Sequence, residues 1–368
     1  MKSMGQDTTG NVFFSWSQAK AVPDADGFAG SYAGVSNGAL LVAGGANFPG
    51  GGRPWSGGVK KWYDNIFVLE SPGGRWKEAG RLPRPMGYGV SLTYQDGVVC
   101  LGGGDAERNY ADVFILKYTG GSVKVVPLPA MPGPVINACG AIVGHKLYIA
   151  GGIATPTGLT TNSFWCMDLS DADTKWQVLA SFPGPSRMLA VAGAQDDNFY
   201  LFGGVHLAAE PGAAAGSTPQ REYLKDCWTY MPDKGWKRIA DLPHPVAAAP
   251  SPAYNAGQSH LMLFGGDDGG LASQVAVLKD EHPGFRNELL AYNTLTDSWS
   301  VMGKIPVDKK ADAVANTNGS VYAPVTTPLV VWNGNIVLTG GEVRPAVRTN
   351  KVLIAAPRQP SGKFGGLD

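Results

Sequence analysis

The chain has 368 residues, 51 of them glycine, about twice the usual share of ~7%. Only 16% of its residues are charged while 44% are hydrophobic, which fills a core but leaves too little Glu, Lys and Arg for the exposed faces of a helical bundle. Thirty basic and thirty acidic side chains cancel, so the basic excess that draws nucleic acid or anionic membranes is missing and neither partner is expected.

From the N-terminus, MKSMGQDTTGNVFF carries no apolar segment of the signal-peptide kind. That fits a cytoplasmic protein if the chain is complete and a periplasmic one if a signal has been removed. The next segment, NVFFSWSQAKAVP (11–23), reads as a strand with a tryptophan, Trp16, ahead of a proline. A β-rich run ending in a glycine pair then recurs six times: LLVAGG (40–45), VVCLGGG (98–104), LYIAGG (147–152), FYLFGG (199–204), LMLFGG (261–266) and IVLTGG (336–341). A second strand follows most pairs, as in DNIFVLE (64–70) and ADVFILKY (111–118), and Trp76, Trp176, Trp236 and Trp299 each lead a further one. Glycine after a strand permits positive φ and lets neighbouring backbones approach closely, and tryptophan fills the space between sheets.

Units of four strands at ~50-residue spacing predict an all-β fold, a six-bladed kelch β-propeller of antiparallel blades. The blades fall at about 28–80, 86–128, 136–180, 187–240, 246–302 and 324–356, in one domain. The last repeat lacks a tryptophan strand, so the N-terminal strand (12–18) is expected to join it and close the ring.

Loops after each glycine pair and the links between blades share one face. Three of these loops are long, 46–63, 205–224 and 267–285, and long loops in compact domains are where function concentrates. Cys100, Cys139, Cys166 and Cys227 sit singly in apolar runs and read as buried free thiols. Five histidines, His206 and His244 among them, have no metal-ligand spacing; no metal and no cofactor is expected. Nothing in the sequence sets an oligomeric state. The chemistry-bearing stretch is TGGEVRPAVRTNKV (339–352), where Glu342 projects from a strand end and Arg344 and Arg348 flank a stiffening proline.

GGEVRPAVRT resembles the signature of the bacterial sialic acid mutarotases, the N-acetylneuraminate epimerases. Similar resemblance runs through SYAGVSNGALLVAGGANF (31–48), GVKKWYDNIF (58–67), GYGVSLTY (87–94) and KWQVLASFPGPSRM (175–188), over about residues 28–355. The blade order is rotated, so the chain resembles the cyclically permuted branch. The resemblance implies interconversion of the α and β anomers of N-acetylneuraminate by acid–base ring opening, with a small-molecule sialic acid as partner. It places Glu342 on the family's proton acceptor and Arg348 on its paired arginine. It also implies substrate contacts from Arg187, Tyr322, Arg344, Asn47, Phe48, Lys60, Lys61 and Tyr63. One departure is Met86, where the family has an arginine ahead of YGVS; Arg84 lies two residues earlier. Two other readings stay open: a non-catalytic interaction or carbohydrate-binding propeller, and a related enzyme for another acidic sugar.

Overall fold

Each glycine-terminated run is the second strand of an antiparallel sheet, four-stranded in five blades and five-stranded in the last, where Lys2–Ser3 adds to the outer edge. In the first blade the order from the axis outward is Tyr32–Ser36, Ala39–Ala43, Asn65–Leu69 and Lys77–Arg81. The innermost strands of the other blades are Val90–Tyr94, Cys139–Val143, Val191–Gln195, Tyr254–Ala256 and Leu329–Trp332. The computed structural model describes residues 2–3, 13–171, 173–209, 212, 217–310 and 317–358, and within them the protein is a six-bladed β-propeller.

Closure is made as the sequence predicts. Phe14–Ala19 pairs with Val352–Pro357, the third strand of the last blade, in the register Trp16↔Ala355. The expected strand began at residue 12, which lies outside the described residues. Phe14 and Trp16 are buried with Phe264, Leu289 and Leu338 between the fifth and sixth blades. The chain's two ends thus share one sheet.

The glycine pairs do what their position requires. Gly44 and Gly45, Gly102 and Gly103, and the four later pairs all have positive φ. In most of them the second amide donates into the segment before the next inner strand, as Gly103 does to Val135 at 2.9 Å and Gly152 to Arg187 at 2.8 Å. A Cβ on Gly102 would meet the Val135 carbonyl oxygen at 2.3 Å. Glycine is required there by conformation and by space together.

The tryptophans fill the inter-sheet gap and also fasten it. Trp76, Trp176, Trp236 and Trp299 donate Nε1–H to the carbonyls of Lys20, Pro129, Ala180 and Ala240, at 2.8 to 3.0 Å, just beyond the outer strand of the preceding blade. Trp16 is buried with no Nε1 partner among the described residues; the corresponding carbonyl, that of Ile305, accepts instead from Asn287 Nδ2 at 2.8 Å.

One expected loop is a sheet. Strands Asn198–Ala208 and Gln220–Met231 run on past the glycine pair to the register Ala208↔Gln220, so 205–224 is largely a projecting hairpin, with residues 210, 211 and 213–216 outside the described ones. The alternation of buried Val205 and Leu207 carries the strand through the Gly203 bulge. The loop 267–285 instead holds short helical turns, Ala272–Gln274, Val275–Leu278 and Lys279–Glu281. All four cysteines are buried free thiols, and burial pushes Cys139 up to about 12.

Candidate active site

Where the chain enters each inner strand, one residue per blade takes positive φ: Gly30, Tyr88, Asn137, Leu189, Ala248 and Thr326, all between 54° and 66°. The amide of each donates to the carbonyl of its counterpart in the preceding blade, Tyr88 to Gly30, Asn137 to Tyr88, Leu189 to Asn137, Ala248 to Leu189 and Thr326 to Ala248. Gly30 donates to Thr326 at 2.8 Å and completes the circle. This belt of six bonds surrounds the axis at the glycine-pair end, and its residues line an axial cavity of about 80 Å³. A wider cavity of about 460 Å³, lined by Ala33, Thr93, Ile142, Ala194 and Val331, lies further along the axis.

Glu342 stands beside the belt. Its backbone exchanges both hydrogen bonds with Val325, at 2.7 and 2.8 Å. A two-stranded hairpin, Glu342–Arg344 with Val347–Arg348, pairs Glu342 directly with Arg348. Pro345 and Ala346, the latter at φ 62°, make the turn, and the Ala346 amide donates to Glu342 Oε1 at 2.8 Å. The other carboxylate oxygen lies 3.5 Å from Arg348 Nη2.

Arg348 is 7% exposed. Burial works against its charge, but the Glu342 carboxylate and the Tyr88 hydroxyl outweigh it and hold the guanidinium above its ordinary value. Nη2 also donates to Tyr88 Oη at 3.4 Å, and the Phe48 ring lies 5.0 Å from the guanidinium carbon. Its Nε and Nη1 are buried without a hydrogen-bond partner among the described residues, which costs about 1–3 kcal/mol for each such donor.

Of the residues singled out in the sequence, Lys60, Tyr322 and Arg344 gather with these. Lys60 Nζ sits 4.1 Å over the Tyr88 ring and 4.9 Å over that of Trp62. Arg344 lies over the Tyr322 ring at 5.4 Å and donates to the Asp280 carbonyl at 2.9 Å. Asp280 also pairs with Arg53 at 3.0 Å, so the long loops of the first and fifth blades meet across the sixth-blade hairpin. Lys61 lies beside Tyr63, its Nζ 5.0 Å over that ring.

Arg187 does not join them. It is wholly buried, forked onto Asp226 through Nη1 at 3.1 Å and Nη2 at 2.6 Å, and bonded to the Gly203 carbonyl at 2.9 Å. Its nitrogens are all engaged between the third and fourth blades, and the structure does not bring it together with Glu342 and Arg348. Asn47 is 1% exposed, donating to Asp24 and Gly27 while accepting from Tyr63 Oη at 2.9 Å; the pair braces the first blade's loop. Burial raises the Asp24 carboxyl against the amides of Gly27 and Asp26. Met86 is buried, and Arg84 pairs with Asp112. His206 and His244 bond to Ser186 and Glu288.

Four neighbours of the site, Tyr88, Trp62, Lys309 and His282, were not singled out. Lys309 lies 5.8 Å over the Tyr322 ring. His282 is buried, accepts from the Gly284 amide at 3.2 Å and is pushed down by burial, with Glu342 among the charges that act on it. Only GYGVSLTY hinted at Tyr88.

Fold and site together define a class: a six-bladed β-propeller with a carboxylate and a buried guanidinium paired beside one end of its axis. The sequence profile of the N-acetylneuraminate epimerases matches residues 3–125 and 128–215, more than half of the chain. The chain belongs to the N-acetylneuraminate epimerase family. Relatives bearing that name include those of Yersinia enterocolitica, 42% identical over 245 residues, and Salmonella typhimurium, 41% identical over 250. Another, from Haemophilus influenzae, is 27% identical over 241 residues. The three matches cover 60–62% of this chain and 56–58% of the relatives' own length, so the chain spans less than two thirds of each.

Proposed function

We propose that the protein is an isomerase that interconverts the α and β anomers of N-acetylneuraminate. The observation that carries this reading is the Glu342–Arg348 pair, in which an accessible carboxylate is held 3.5 Å from a buried guanidinium with two unused donors. A substrate carboxylate is the partner a planar guanidinium holds through parallel hydrogen bonds, and one held at Nη1 and Nη2 would meet a donor without a partner among the described residues. Glu342, steadied by the Ala346 amide, then takes the proton of the anomeric hydroxyl at C2. The C2–ring-oxygen bond breaks, a ketone forms at C2, and the ring oxygen takes up a proton. Rotation about C2–C3 and attack on the other face of the ketone give the second anomer. Arg344, Tyr322, Lys60 and Phe48 bound the same space and supply its remaining contacts.

A rotated blade order would let a collinear comparison follow only one side of the rotation, which fits matches that cover 60–62% of this chain. We therefore read the chain as a permuted member of the family.

The test is the equilibration of freshly dissolved N-acetylneuraminate followed by proton NMR. Wild type accelerates it, and Glu342→Gln loses about 10²-fold or more of the catalysed rate. Equal acceleration by both removes Glu342 as the base; acceleration only with a different acidic sugar reassigns the substrate.

A further inference from the structure

Opening the ring requires two proton movements, one from the anomeric hydroxyl and one to the ring oxygen, and Glu342 accounts for the first. We infer that Tyr88 is the proton donor to the ring oxygen, an assignment that rests on the anomer-exchange reading of the site. Two independent features lead to it.

The first is its relation to the pair. Arg348 Nη2 lies 3.5 Å from Glu342 Oε2 and 3.4 Å from Tyr88 Oη, so the carboxylate and the phenol meet at one guanidinium nitrogen. The phenol accepts from Arg348, and among the described residues its own proton has no acceptor. A hydroxyl in that position donates outward, and the negative charge left on its oxygen after proton transfer faces Arg348. The anomeric oxygen and the ring oxygen sit on the same carbon of the sugar, so two proton-handling groups on one guanidinium suit them.

The second is its backbone. Tyr88 has φ 64°, positive like the belt position of every blade, a conformation that bulky residues rarely adopt and that persists where surroundings over-determine it. Here both its amide and its carbonyl belong to the belt, which anchors the residue at the axis while Lys60 covers the ring at 4.1 Å.

Competing donors fit less well. Arg348 holds its protons far too strongly to give one up. His282 is buried with Nδ1 occupied by the Gly284 amide. The Lys60 ammonium is turned to the faces of two aromatic rings.

The step balances without any co-reactant. Glu342 takes the anomeric proton, the electrons of the C2–ring-oxygen bond pass to the ring oxygen, and that oxygen takes the phenol's proton. On reclosure the tyrosinate recovers its proton from the attacking hydroxyl, and Glu342 returns its proton to the oxygen at C2.

Tyr88→Phe keeps the ring and its packing and removes only the hydroxyl. The catalysed equilibration rate is expected to fall about 10²-fold or more, with the affinity for N-acetylneuraminate, read by ligand-observed NMR, changing by no more than about tenfold, one hydrogen bond's worth. A wild-type rate in Tyr88→Phe overturns the assignment, and so does a loss of affinity as large as the loss of rate, which makes the phenol a binding group. Difluorotyrosine at position 88, a more acidic phenol, moves the alkaline limb of the catalysed pH profile to lower pH; an unmoved limb also overturns it. If wild type itself gives no acceleration, the anomer-exchange reading falls, and this assignment with it.

Discussion

Arginines 187 and 348 are both buried, yet they differ in what surrounds their donors. Arg348 meets a carboxylate at 3.5 Å while its Nε and Nη1 have no partner among the described residues, whereas every nitrogen of Arg187 bonds to Asp226 or a backbone carbonyl. Removing one member of a buried pair strands the other, so Arg187→Ala should lower stability at pH 7 by about 3–5 kcal/mol in urea unfolding, with little change in sialate affinity. The pH dependence has a definite sign. Burial alone would raise the Asp226 carboxyl, but its bonds and charge from Arg187 outweigh that and hold it below its ordinary 3.8. A depressed folded-state value contributes stability above pH 3.8 that is lost as pH falls through the folded value. The gap between wild type and Arg187→Ala should therefore narrow on acidification below about pH 4; a gap that stays constant would remove the charge on Asp226 from the account. The family resemblance made Arg187 a candidate contact, and nothing local in the sequence discloses the aspartate, 39 residues later, that pairs with it.

At the scale of the blade, glycine serves two separable purposes. Gly102 and Gly120 share φ 60°, but a Cβ on Gly102 meets the Val135 carbonyl at 2.3 Å while one on Gly120 meets nothing within 4 Å. Gly120→Ala should cost about 1–2 kcal/mol for the left-handed conformation alone, and Gly102→Ala about 1–3 kcal/mol more for the overlap. Equal melting temperatures for the two variants would show that close approach at the blade junction is unimportant. The glycine pairs, the tryptophans and the strand they punctuate were legible because each is a local signal repeated six or nearly six times. The hairpin at 205–224 was read as a loop because its glycine- and alanine-rich middle masks the alternation on either side. Tyr88 was not legible because the belt arises from bonds between residues far apart in the chain, Gly30 with Thr326 at the extreme, and no local pattern marks a member of it. The Glu342–Arg348 pairing came from the resemblance carried by GGEVRPAVRT, and the structure brings the two residues together in a short hairpin.

For the molecule as a whole, Phe14–Ala19 and Val352–Pro357 form a seam in one sheet, and stability is predicted to depend on it. Deleting residues 1–20 removes Phe14 and Trp16 from the packing between the fifth and sixth blades, a loss of roughly 3–6 kcal/mol of apolar burial. The melting temperature should fall by about 4–8 °C, with tryptophan fluorescence and circular dichroism moving together. An unchanged transition would mean the ring holds without its seam. The belt around the axis has a different consequence. In a helix the peptide dipoles line up and leave a positive pole at one end, where anions settle. Here six amide-to-carbonyl links chase one another around a circle, so the dipoles run head to tail and the circuit has neither start nor finish. Such a loop presents no pole along the axis. Attraction for an anion at this opening then has to come from side-chain cations, and charge selectivity there can be retuned by substituting arginine and lysine without disturbing the backbone that supports them.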